Sequence, residues 1–101
     1  MVNSINVYPI IIKKSLIARL LGVGGIVIYP FVLFAEQRPS EQLFNHEMIH
    51  VEQIRKIGIL LFYFYYLKEY ATNRIKGLSH YEAYMAISYE KEAYQNENKK
   101  T

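Results

Sequence analysis

At 101 residues the chain is long enough for one hydrophobic core and too short for a second, so a single domain over residues 1–101 is expected. Cysteine and aspartate are both absent, which excludes disulfides, thiolate metal sites and a cysteine nucleophile and leaves histidine, nine glutamates and water as the possible ligands of any metal. The net charge of +3 is scattered, with no basic run beyond the pairs Lys13-Lys14, Arg55-Lys56 and Lys99-Lys100, and no nucleic-acid partner is expected.

The opening MVNSINVYPIII lacks the basic segment and small-residue cleavage site of a secretory signal, which sets the expectation of a cytoplasmic location. Its residues 5–12 are β-prone, and 13–21 have the spacing of a short amphipathic helix ending at Gly22. Leu16 to Ala35 is mostly apolar but contains Arg19, three glycines and Pro30, so a strand after a glycine turn fits it better than a membrane span. The strand is expected over 26–34, with Pro30 marking an edge or a bulge. The glycines at 22, 24 and 25 do not form a phosphate loop. They precede a strand, and neither the third fingerprint glycine nor a following GK[ST] is present.

Ser40 and Glu41 open the next helix, and Arg55, Lys56 and Gly58 close it on the charges expected at a helix C-terminus. A second helix is expected from Gly58 to Gly77, apolar or aromatic all round over its first half. Ser79 to Glu82 has the form of a capping box opening a third helix that runs to about Asn96 before a charged, frayed tail. The expected fold is therefore α+β and mostly helical, with a small N-terminal β element and three main helices.

Mid-way along the first long helix stands His46-Glu47-Met48-Ile49-His50, an HExxH pattern. Histidines at i and i+4 lie one turn apart on one helix face, so both imidazoles can reach one cation at about 2.0–2.1 Å. Glu47, about 100° further round, can act as general base on a water activated by that cation. Helical phase sharpens the reading: Glu41, Glu52, Arg55 and Lys56 share a solvated face, whereas His46 and His50 fall opposite it with Leu43, Ile54 and Ile57. Two buried imidazoles beside a carboxylate are costly to desolvate, and a shared cation offsets that cost.

A third protein ligand must come from elsewhere, because Lys56 occupies the position where the metzincin pattern has its third histidine. On the third helix Glu90 shares a face with Ala83, Ala86, Ile87, Ala93 and Tyr94, whereas Glu92 lies opposite with Lys91 and Gln95, so phase favours Glu90. Glu69 on the second helix is the other candidate, on that helix's polar side. His80, at a helix start, is expected to be a solvated loop histidine.

HEMIH followed about forty residues later by Glu90-Lys91-Glu92-Ala93-Tyr94 resembles the gluzincin metallopeptidases, whose second motif is ExxA, often followed by aspartate. It is similar also to small uncharacterised bacterial proteins with HExxHxxQ and an EREAY-like segment, Gln53 standing at the glutamine position. The resemblance covers Ser40 to Asn98. It implies a minimal zincin-like domain with zinc held by His46, His50 and Glu90, and with Glu47 as catalytic base. Tyr94 stands where many gluzincins have an aspartate that orients a zinc-bound histidine. Its hydroxyl can accept the same N–H bond, and Glu97, a turn further along that face, can supply the charge.

The expected function is zinc-dependent hydrolysis of a peptide or protein substrate, with 26–34 as an edge strand for an extended chain. The alternative is a non-catalytic module with a structural metal. The aromatic helix that contains Tyr63, Tyr65 and Tyr66 is then a dock for a membrane surface or a protein, with membrane association added to the cytoplasmic location.

Overall fold

The computed structural model describes residues 9–99. Of the β-prone stretch 5–12, Ile10–Ile12 is a strand, β1, and residues 5–8 lie outside the described part. The next helix, α1 (Leu16–Leu21), is shorter than expected, because Ser15 is its N-cap and accepts the Ala18 N–H at 3.2 Å, with Lys14 before it at φ 54°. Gly22, left-handed at φ 72°, ends it.

The apolar run 26–34 is two strands, not one. The chain turns back at Tyr29-Pro30, giving β2 (Gly25–Ile28) antiparallel to β3 (Phe31–Phe34). Proline cannot donate to a ladder, so it falls in the turn rather than in either strand. β1 pairs in parallel with the other side of β3, and the sheet order is β1-β3-β2. Phe31–Phe34 is thus central, and only the Gly25–Ile28 half of the run is an edge. Along β3 the side chains alternate as a two-sided strand requires. Val32 and Phe34 enter the main core, while Leu33 packs with Ala18 of α1 in a smaller cluster on the other face.

α2 (Glu41–Ile57) begins where Ser40 accepts the Leu43 N–H at 3.0 Å, and α3 (Ile59–Ile75) follows after Gly58 alone. Gly58 sits at φ 92°, a backbone setting that L side chains rarely adopt, and this permits so abrupt a change of direction. Val51 and Ile54 of α2 and Phe62 of α3 close the core over Val27, Val32 and Phe34.

The third expected helix is also divided. The Ser79–Glu82 capping box opens α4 (His80–Met85), and α5 (Ser88–Asn96) starts anew after a break at Ala86-Ile87. Ile87 adopts an extended conformation, is fully buried, and has no side-chain cap to offer. Glu69 of α3 supplies one from outside: its carboxylate accepts the Ser88 N–H and hydroxyl, each at 2.8 Å. The fold is α+β and mostly helical as expected, with five helices among the described residues instead of three main ones. None of these helices is long and apolar enough to cross a membrane.

Candidate metal centre

α2 presents His46, Glu47 and His50 on its buried side, and α5 packs against it through the fully buried Ala93, which brings Glu90 of the first α5 turn up to both rings. Glu90 Oε1 lies 2.9 Å from His46 Nε2 and 3.2 Å from His50 Nε2, and one ligand atom from each of the three residues falls within 4.8 Å of the others. A tetrahedral ion with ligand bonds of about 2.0–2.1 Å separates neighbouring ligand atoms by roughly 3.3 Å, close to the two separations between Glu90 and the histidines.

The outer contacts decide which nitrogen faces the centre. His46 Nδ1 is 2.8 Å from Glu97 Oε2, and His50 Nδ1 is 2.8 Å from Gln53 Oε1. Gln53 is itself fixed, its amide donating to the Tyr89 carbonyl at 3.0 Å and to Glu92 at 2.6 Å. Both outer partners are acceptors, so each ring carries its proton on Nδ1 and turns Nε2 inward, the tautomer a metal ligand requires. A neutral pair would then aim two lone pairs at a carboxylate. Only a cation or added protons make that arrangement favourable. Among the described residues His50 Nε2 is the one buried side-chain polar atom without a hydrogen-bond partner, although it stands 3.2 Å from Glu90 Oε1.

The ionisation equilibria follow. Burial opposes charge on both histidines, yet Glu90, with Glu97 at His46 and with Gln53 and Glu47 at His50, raises both above the ordinary histidine value. Burial alone would raise Glu90, but His46, His50 and a hydrogen bond from Tyr66 hold it well below the usual carboxylate range. The Tyr66 hydroxyl donates to Glu90 Oε2 at 2.5 Å and that of Tyr84 to Oε1 at 3.2 Å, and both phenols are pushed up, chiefly by burial, beyond any physiological ionisation. They therefore remain donors.

Glu47 is buried, and that burial raises its carboxyl pKa against the lowering influence of His50 and His46. It lies against Gly25 at the start of β2. A Cβ there would stand 3.0 Å from Glu47 Cγ and 3.2 Å from Oε2, so the missing side chain is what lets the strand come this close. Both residues line a cleft of about 900 Å³ that His46, His50 and Glu90 also line. The outer edge of β2 is partly taken. Tyr63 of α3 donates to the Val27 carbonyl at 2.8 Å and accepts the Tyr29 N–H at 3.3 Å. Gly24 O bonds inward to Ala35, so by the alternation of an antiparallel ladder Gly25 turns its own N–H and C=O outward, beside Glu47.

Of the residues singled out by sequence, His46, His50, Glu47, Glu90, Gln53 and Glu97 come together here. Tyr94 is present in a different role from the one expected. Its ring lies edge-on to His46 with centroids 4.4 Å apart, but its hydroxyl meets Tyr84 at 3.2 Å, and the His46 N–H goes to Glu97 instead. Glu69 is occupied in capping α5. His80 is exposed but also lines the cleft, its Nδ1 2.8 Å from the Tyr70 hydroxyl. Gly25, Tyr66, Tyr84 and Gln42, which donates to Glu97 at 2.5 Å, carry no signal in the sequence that separates them from the other glycines, tyrosines and glutamines.

Two expectations follow for a metal at this place. Glu97→Ala should weaken zinc binding about 10–100-fold, Glu97→Gln should recover much of the loss by keeping an acceptor for His46, and Tyr94→Phe should leave it unchanged. Titration against a competing chelator measures all three. The second concerns pH. In metal-free protein the raised histidine pKa values contribute stability that is complete below about pH 6.5 and lost as pH rises through the folded-state values, while the depressed Glu90 contributes above about pH 4.5 and is lost only in stronger acid. Zinc requires neutral imidazoles and acts in the opposite sense. Thermal melts in chelator should therefore fall from pH 6 to 8, whereas the rise in Tm produced by zinc should grow over that interval. At a hundredfold excess over Kd the stabilisation is about 2.7 kcal/mol.

The chain matches no protein-family model, no curated protein and no solved structure.

Proposed function

We propose that this protein is a zinc-dependent metallopeptidase of the gluzincin kind, with His46, His50 and Glu90 as the metal ligands and Glu47 as the general base. One observation carries the reading. Two buried Nε2 atoms, each set by an outer acceptor, converge on a carboxylate in an open cleft, next to a second carboxylate that no ligand role accounts for. A structural metal needs the first part of that arrangement and has no use for the second.

Zinc bound there would polarise the scissile carbonyl and make water a stronger acid. The chain's own contribution is positional and protonic. Glu47, with a carboxyl pKa raised by burial, is suited to take a proton from the attacking water and return it to the leaving amine. Gly25 offers a backbone N–H and C=O beside it for the main chain of an extended substrate. With Tyr63 bonded at Val27, that alignment is confined to a short stretch of β2. Tyr66 holds Glu90 by its outer oxygen, Oε2, Tyr84 donates to Oε1, the oxygen that faces the histidines, and both phenols stay protonated throughout. The substrate class is a peptide or an unfolded protein segment.

Zinc-loaded protein incubated with a defined peptide mixture should generate new amino termini, seen by mass spectrometry and suppressed by chelator. Stoichiometric zinc with no cleavage of any peptide would favour the non-catalytic metal-binding module.

A further inference from the structure

Two different faces of α3 are visible once the aromatic run is folded. Phe62, Tyr63 and Tyr66 turn inward to the core and cleft, whereas Leu60, Leu61, Phe64, Leu67 and Ile75 are exposed, Leu60 and Ile75 by 86%, Leu67 by 63% and Phe64 by 58%. At 100° per residue these five, with Ala71, occupy one stripe roughly 120° wide and about 22 Å long. Arg74 stands at one margin and Lys68 within the other. The helix's one acid, Glu69, lies on the opposite side, bonded to Ser88.

We infer that this stripe of α3 docks the protein on the surface of an anionic lipid bilayer. A helix with a broad apolar face, marginal cations and no acid on that face has the chemistry of an in-plane interfacial helix, its apolar side chains entering the acyl boundary and its cations meeting lipid phosphates. Tyr65, exposed at the border of the stripe, suits the headgroup level. A second copy of the chain fits less well. Antiparallel pairing about the middle of the stripe brings the two Lys68 side chains toward each other with no acid on either stripe to answer them, whereas lipid phosphates compensate every cation. Leu67 belongs both to the stripe and to the lining of the cleft, so the cleft opens beside the lipid, where a chain segment emerging from a bilayer surface would lie. The docking itself does not depend on the proposed hydrolysis.

Sedimentation of the whole protein with vesicles tests the inference. It should partition onto phosphatidylcholine vesicles containing phosphatidylglycerol, less onto phosphatidylcholine alone, and less as salt rises. Leu60→Gln with Phe64→Gln should reduce partitioning at least about tenfold, and Lys68→Gln with Arg74→Gln should remove the anionic preference, about fivefold per cation. The altered side chains are exposed, so circular dichroism and zinc content should match wild type in both variants. Wild-type protein left in the supernatant with anionic vesicles, or variants that bind as wild type does, would overturn the inference. So would a lipid-free dimer in sedimentation velocity that Phe64→Gln dissociates, which assigns the stripe to a second copy.

Discussion

Glu47→Gln protein is expected to bind zinc with unchanged stoichiometry and to lose hydrolysis by about 10²–10⁴-fold, the usual contribution of a positioned general base. The substitution is nearly isosteric, so Gly25 keeps its close approach and the cleft its shape. It removes a proton acceptor without touching an imidazole, and Glu47 forms no bond with His46, His50 or Glu90. Any loss is thus chemical, not structural, provided that the variant melts as wild type does. Initial rates on a cleaved peptide, measured beside zinc content in the same preparation, separate the two. Undiminished cleavage by Glu47→Gln would eliminate the mechanism, even with the metal in place.

Glu90→Gln should have the second large effect, on the metal. The carboxylate is the one charged protein ligand in the group, and its removal leaves two neutral imidazoles, so zinc affinity should fall by more than the roughly 10–100-fold associated with outer contacts. Without metal the same substitution takes the partner from two histidines that are raised because of it, and both should titrate at lower pH than in metal-free wild type. Competition with a chromophoric chelator measures the first effect and histidine NMR titration the second. Equal affinity in Glu90→Gln and wild type would move the third ligand elsewhere.

Local signals in the sequence were sufficient for some of this structure. Ser40, Glu41, Arg55, Lys56 and Gly58 mark both ends of α2 without help from any other element, and helical phase alone turns His46 and His50 inward. Glu90 was readable for a similar reason: its neighbours at 93 and 94 lie within the same short helix, so a break before it left the phase intact. That break was not readable. Residues 79–96 are helix-prone throughout, and the group that starts α5 is Glu69, nineteen residues before Ser88. The hairpin was hidden because 26–34 is apolar on both sides of Tyr29-Pro30, with no glycine or asparagine at the turn. The partner of His46 was open between Tyr94 and Glu97, one turn apart on one face. Depth decided it: the Glu97 side chain is buried at the level of Nδ1 while the Tyr94 hydroxyl runs past to Tyr84. Tyr66 and Tyr84 reach Glu90 from α3 and α4, and no spacing rule separates them from the other eight tyrosines.

The central claim, that His46, His50 and Glu90 hold one zinc ion, is tested most directly by native mass spectrometry of untagged protein, wild type beside His50→Ala. One zinc per wild-type chain, removed by chelator and missing in His50→Ala, is the predicted result. Folded wild-type protein that takes up no zinc, or a variant that retains it at full occupancy, would contradict the account.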